Sequence, residues 1–287
     1  MSTLATDQIF RATGLLVIEV LNSNPNGDPD REGDPRQRPD GKGEISPVSF
    51  KRKTRDLVEQ KEGPVWKSLA EKLKLTADQF GILESRQTAL KDIRAVDEAE
   101  FIKRYWDGRV FGNTELEKGR NVPVKTGVAQ FGLGLSIAPV RIDRMTTTNP
   151  PVEGDKKVGM APLGYRIVEH GVYCMPFFIN PTAACKSGCT KRDIDLLLAL
   201  IRHAYPHTAS YVRPMVEIRH AWYIEHKNAL GSCSDFALIA ALTPTKKGDK
   251  GQPSTCWDDY ECPTFKSQAF ADLAAKVGNH RDLMDLS

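Results

Sequence analysis

The clearest pattern along the chain is a set of apolar runs with different periods. Residues 13–21 (TGLLVIEVL) are apolar on both faces apart from Glu19, which predicts a central strand covered on both sides. Residues 215–226 (MVEIRHAWYIEH) alternate, with Val216, Ile218, His220, Trp222 and Ile224 set against Glu217, Arg219 and Glu225, the signature of a half-buried strand. Residues 167–180 and 235–242 (DFALIAAL) read as further strands. Helical spacing begins after Ser46-Pro47, where Ser suits the cap and Pro the first turn. From there Phe50, Thr54, Leu57 and Val58 share one face, and Lys51, Arg52 and Arg55 the other, so the cations should point outward together. Thr190, with Asp193 three residues on, caps a second helix whose buried stripe is Ile194, Leu197, Leu198 and Ile201.

The segments between these runs are polar or broken. Asn22 to Asp30 stacks the turn formers Asn-Pro, Asn-Gly and Asp-Pro, and residues 31–45 carry no period, which predicts a mobile loop. Residues 61–107 are helical and charged, with breaks at Gly63-Pro64 and Gly81. They end in the aromatic turn 105–112 (YWDGRVFG), where Arg109 either packs a corner or faces a ligand or partner. Residues 121–142 read as strand, turn and strand. Gly127, Gly132 and Gly134 there permit either a β-bulge or the close approach of another backbone, a nucleic acid included. Residues 143–165 form a long hairpin, with Arg141, Arg144 and Met145 on one arm and Met160, Leu163 and Arg166 on the other. Apolar residues on a protruding hairpin call for a partner, either bases or a neighbouring subunit. Beyond Thr243 comes a polar loop with Lys246, Lys247 and Lys250, then a short helix near 265–277; this tail is expected to be mobile or to dock on a partner. Two β-α-β passes and a mostly antiparallel sheet predict an α+β, ferredoxin-like core carrying insertions.

Composition narrows the function. The 287 residues, 40% hydrophobic and 27% charged, suit a globular chain of one large domain or two modest ones. Net charge is only +3, so a nucleic-acid surface has to come from local clustering. There is no secretory signal or apolar span, which predicts a cytoplasmic, non-membrane protein. The six cysteines read as free thiols. Neither Cys185/Cys189 nor Cys256/Cys262 has the tight spacing of a zinc site, and Cys174 reads as buried and structural. Pro206 breaks the helix between His203 and His207, and His220 reads as a hydrogen-bonded core histidine. A calcium loop beginning at Asp28 fails at Pro39, where a bidentate Glu is required. No G-x-S-x-G, H-E-x-x-H or kinase set is present. Asp28, Asp30 and Asp34 are turn formers that could also hold Mg²⁺ for phosphodiester cleavage. The expectation is a chain with no cofactor, no metal and no catalytic residues.

Taken together, Leu16-Val17-Ile18-Glu19-Val20 running into Asn22–Asp30, the Lys51-Arg52-Lys53-Thr54-Arg55 helix start, Asp107–Gly112, Gln130–Val140, Gly171–Tyr173 and Phe236–Leu238 carry a resemblance. Over about residues 13–242 the chain resembles the backbone subunit of the type I-C CRISPR interference complex (Cascade), within the RAMP superfamily. The resemblance implies a hand-shaped protein with an RRM-like palm (1–60, 119–142 and 166–243), a helical finger lobe (61–118), a hairpin thumb (143–165) and a C-terminal tail (244–287). It implies several copies lining a CRISPR RNA, holding its phosphates and displacing a base at intervals, while the exposed bases pair with target DNA. The implied partners are the CRISPR RNA, target DNA through the guide, neighbouring copies, and the large, small and repeat-end subunits. The implied RNA-binding residues are Asn24, Asn26, Gly27, Lys51, Arg52, Lys53 and Arg55, then Gln130, Gly132, Arg141, Arg144, Met145 and Arg166. Ser23 stands where the family pattern has Gly, the region from Tyr205 to Val216 is short, and the tail beyond 243 matches nothing in the family. RAMP relatives that cleave RNA leave an alternative, a metal-dependent endoribonuclease using Asp28 or Asp34.

Overall fold

The computed structural model describes residues 8–85, 98–112, 126–148 and 162–285. The strands are β1 (Ala12–Ser23), β2 (Gly27–Asp28), β3 (Asp34–Pro35), β4 (Lys42–Ile45), β5 (Ala129–Phe131), β6 (Gly134–Pro139), β7 (Ile142–Thr148), β8 (Pro162–Ile179), β9 (Val216–His226), β10 (Thr245–Lys246), β11 (Tyr260–Glu261) and β12 (Val277–Asp282). The helices are α1 (Pro47–Glu59), α2 (Pro64–Leu73), α3 (Glu98–Arg104), α4 (Trp106–Phe111), α5 (Pro181–Ser187), α6 (Lys191–Ile201), α7 (Asp235–Leu242) and α8 (Gln268–Ala274). Residues 86–97 and 113–125, within the expected lobe and strand, and the expected hairpin tip with Met160 lie outside the described residues.

One antiparallel sheet organises this mixed α/β chain, with strand order β12-β9-β1-β8-β6-β4; β5 and β7 also pair with β8. β1 sits centrally, and its alternate side chains enter two separate cores, as a run apolar on both faces requires. Leu16, Ile18 and Val20 join Phe50 and Leu57 of α1, Trp66 of α2, and Ile194 and Leu197 of α6. Leu15 and Val17 join Leu238 and Leu242 of α7, Phe270 of α8, and Tyr260. The two helix starts are capped as their sequences require: Ser46 Oγ accepts from Ser49 N, and Thr190 with Asp193 closes a capping box.

Several expectations fail, each for a local reason. Residues 235–242 form a helix, not a strand. Ser234 caps it, alanine-rich composition favours it, and Leu238, Ala241 and Leu242 share the buried face at helical spacing. The span 31–45 is not simply a loop: β4 pairs with β6 and forms one end of the sheet's strand order. The tail packs on its own sheet. β12 pairs with β9, and Glu19, the polar exception in β1, faces His170 Nε2 at 3.2 Å while His170 Nδ1 lies 2.8 Å from Ser254 Oγ. Tyr260 donates to the same Ser254 oxygen at 2.9 Å, tying the tail across the sheet face. Cys174 is partly buried here and burial pushes its thiol up to about 12, in keeping with a structural role.

The glycines of the 127–134 region are occupied by the protein's own chain. A Cβ on Gly127 would lie 2.1 Å from the Phe111 carbonyl carbon and 2.6 Å from Gly112 N, and one on Gly132 would lie 2.9 Å from Pro176. Gly127→Ala must therefore separate two backbone segments. The expected cost is about 1–3 kcal/mol or more, read as a lowered denaturant midpoint at unchanged slope.

Candidate nucleic-acid interface

The loop after β1 is held by its own asparagines. Asn24 Nδ2 donates to Gly33 O at 2.7 Å, and Asn26 Nδ2 donates to Gly27 O at 2.9 Å. Asn26 Oδ1 accepts from Ser46 N at 2.7 Å, which fixes the loop to the cap of α1. Both side chains are buried, so Asn26 shapes the loop and offers it no free group. Asn24 differs: its Oδ1 is buried without a hydrogen-bond partner.

The cations of α1 do not point outward together. Arg55 is 3% exposed. Its Nε donates to Asp107 at 2.9 Å and its other arm reaches Glu84 at 3.1 Å. Arg52 is occupied by Asp56, Glu59 and the Glu84 carbonyl at 2.7, 3.1 and 2.5 Å. Lys53 is 5% exposed and donates to Thr208 Oγ1 at 3.0 Å. These three serve packing. The sequence places Lys51, Arg52 and Arg55 on the outer face of an isolated helix, but the lobe ending in Asp107 closes over Arg55 there, and Lys53 is covered by the turn at Thr208. Lys51 is half-buried, its ammonium 5.1 Å from the Phe111 ring; burial and then the Arg55 charge lower its pKa. Arg109 packs the corner, bound to Asp193 at 2.6 and 3.1 Å.

Burial, reinforced by Arg213, lowers Lys53 from its ordinary 10.5 to about 8. The unfolded chain binds that proton more tightly, so the buried cation costs stability below pH 8 and the cost is relieved as pH rises towards 10.5. Wild type should therefore gain stability relative to Lys53→Met across that window, measured as unfolding midpoints at stepped pH. Parallel curves would contradict the buried position.

A second cluster lies at the foot of the hairpin. Arg144 on β7 pairs in register with Arg166 on β8. Asn24, Gly27, Arg144, Tyr165, Arg166 and Arg213 are among the residues lining a cavity of about 550 Å³ between this hairpin and the β1 loop. Arg166 is bound to Asp34, and Arg213 donates through Nε to Asn24 O at 2.8 Å. Among the described residues no carboxylate pairs with Arg144 or Arg213. Glu32 and Asp34 line the same cavity and Asp34 answers Arg166, so the excess of positive charge at this corner rests on Arg144 and Arg213. Tyr211, 64% exposed, stands edge-on to Tyr165 at 5.4 Å. Sequence reasoning missed Tyr165, Tyr211 and Arg213; the signal was an aromatic and a cation, Tyr211 and Arg213, just ahead of β9.

Other expected positions are elsewhere. Gln130 is opposite Phe178 at the far end of β8, twelve residues from Arg166, on the order of 40 Å along a straight strand. Its amide donates to Gly127 O, and Gly132 N donates to Pro176 O at 2.8 Å. Arg141 is exposed and pairs with Glu169 at 3.4 Å, and Met145 is 41% exposed on the hairpin. Asp28 caps the turn by accepting from Asp30 N, and Asp34 holds Arg166. Among the described residues no group of three or more His, Cys, Asp or Glu comes together to hold a metal ion, and no helix is long and apolar enough to cross a membrane.

The arrangement is that of a mixed α/β scaffold with a cationic, aromatic corner beside one antiparallel sheet. The chain belongs to the family of CRISPR-associated protein Cas7, whose model matches residues 11–264. Among solved structures it is similar to a chain of "CRISPR RNA-guided surveillance complex, pre-nicking", at 15% identity over 81% of this chain and 83% of that one, with a TM-score of 0.49. It is also similar to a chain of "CRISPR RNA-guided surveillance complex", at 16% identity over 83% and 77%, with a TM-score of 0.40. No match was found among curated protein sequences.

Proposed function

We propose that this chain is the CRISPR RNA-binding backbone subunit of a type I-C interference complex, several copies lining one guide and presenting it for pairing with target DNA. The observation that carries the reading is the family match across residues 11–264. The geometry supports it. β1, β6, β8 and β9, with α1 and α6 on one face, follow the β-α-β-β-α-β order of a ferredoxin-like palm. The β7–β8 hairpin is the thumb, and α2 to α4 belong to the finger lobe.

In this reading the phosphate-gripping groups are Arg144, Arg166, Arg213 and Lys51, and Arg52, Lys53 and Arg55 brace the helix beneath them. Sequence is read by base pairing and charge supplies the grip. The subunit is not a catalyst: Asp28 and Asp34 shape the loop and orient Arg166. The test is purification of the intact chain followed by extraction and sequencing of bound nucleic acid. Repeat-derived RNA of defined length is expected; a preparation free of nucleic acid that also fails to bind added guide RNA would overturn the reading.

A further inference from the structure

We infer that the cavity formed where β12 meets α2 and α6 is a docking site for an acidic segment of a second protein, one that carries an apolar side chain beside its carboxylates. The inference goes beyond the guide-binding reading and does not rest on it: no residue lining this cavity lines the one at the hairpin corner.

The cavity holds about 410 Å³, within the range of small-ligand sites. Its wall has two chemistries. Leu69 and Leu73 of α2, Leu198 of α6 and Leu283 just beyond β12 make one side apolar. Lys72 of α2, Arg202 at the end of α6 and Arg281 of β12 bring three cations to the other. Among the described residues none of the three has a carboxylate partner. Arg202 is spent on main-chain oxygens: it donates to Leu283 O through Nε at 3.1 Å and through Nη2 at 2.5 Å, and to Asp285 O at 2.9 Å. These bonds fix the guanidinium and leave its charge unanswered. Two of the carboxylates in the wall are committed elsewhere. Asp195 takes Lys191 Nζ at 2.8 and 2.7 Å, and Asp282 faces His220 Nδ1 at 2.8 Å while accepting from the Ala221 and Met284 amides. That leaves exposed Asp285 against three cations. His203 lies in the same wall, and burial, then the charges of His207 and Arg202, lower its pKa. Charge complementarity therefore sets the sign of the occupant, and the leucines set the rest of its character. A carboxylate answers Arg or Lys through charge-assisted hydrogen bonds, and an apolar side chain beside it gains by covering the leucines. Nucleic acid fits less well, because no Phe, Tyr or Trp lines the cavity to stack a base and Asp285 repels phosphate.

The probe is the capped, fluorescein-labelled peptide Leu-Asp-Glu-Leu-Leu, titrated into the full chain by fluorescence polarisation, with Leu-Asn-Gln-Leu-Leu and Leu-Lys-Lys-Leu-Leu as controls. The acidic peptide is expected to bind, the neutral one roughly tenfold more weakly, and the basic one not at all. Lys72→Glu and Arg281→Gln, both at exposed positions, should each weaken the acidic peptide roughly tenfold. Circular dichroism of both variants should match wild type, which separates lost binding from lost folding. The His203 imidazole, followed by NMR in histidine-labelled protein, should titrate at higher pH with the acidic peptide bound, because a carboxylate offsets the neighbouring cations. A peptide seated elsewhere would leave that titration where it was. Failure of the acidic peptide to bind at millimolar concentration would overturn the docking site. Equal binding of the acidic and basic peptides, or binding untouched by Lys72→Glu and Arg281→Gln, would overturn it as well. Displacement of the peptide by guide-length RNA would give the cavity to nucleic acid instead, and self-association of the chain that the peptide reverses would give it to a second copy; either result overturns the assignment to a second protein.

Discussion

Asp107→Ala is expected to destabilise the fold by about 3–5 kcal/mol, the cost of leaving a buried arginine without its partner. Asp107 is 1% exposed and accepts from Arg55 Nε at 2.9 Å, Leu83 N at 2.7 Å and Glu84 N at 3.2 Å. Losing the carboxylate therefore strands a buried guanidinium and two backbone amides together. Glu84, which also reaches Arg55, is about half exposed and recovers only part of the loss. Arg55→Ala should be destabilising for the mirror-image reason. Both effects are read from denaturant midpoints. The informative comparison is with RNA binding by the folded Arg55→Ala protein: its salt dependence should match wild type, because Arg55 holds Asp107 and not phosphate. A shallower slope would return Arg55 to the RNA surface.

The second large effect belongs to the opposite group of cations. Arg144→Ala combined with Arg213→Ala should weaken RNA binding roughly tenfold for each charge removed, at about 1.5 kcal/mol or more per charge-assisted hydrogen bond. It should also flatten the plot of log affinity against log salt by about 0.7 for each phosphate of a single strand that is no longer neutralised. Folding should change little, since Arg144 is exposed and the bond lost from the Arg213 side chain is the one to the Asn24 carbonyl. An unchanged slope would remove the hairpin corner from the interface.

These two predictions mark where the sequence was legible. Period and caps were enough for β1, β8, β9, α1 and α6, because each depends on neighbours within one or two turns. The same patterns placed a hairpin over 143–165; that its arms pair with Arg144 opposite Arg166 was not legible there. The fate of the α1 cations was hidden. Whether Arg55 faces solvent or Asp107 depends on a lobe 52 residues away in sequence, and no local period carries that information. The second core was hidden for a related reason: residues 235–242 are apolar all round, so only the Ser234 cap distinguished helix from strand. Tyr165, Tyr211 and Arg213 were unremarkable one by one. Tyr165 and Arg213 come together only because the turn before β9 and the hairpin meet beside the β1 loop, with Tyr211 against Tyr165.

The central claim is that copies of this chain line a guide, and it is tested most directly by counting chains bound to RNAs of graded length using native mass spectrometry. The account predicts a stepwise rise in copy number as the RNA lengthens, with each step adding one chain. A single chain per RNA at every length, or no complex at all, would contradict it.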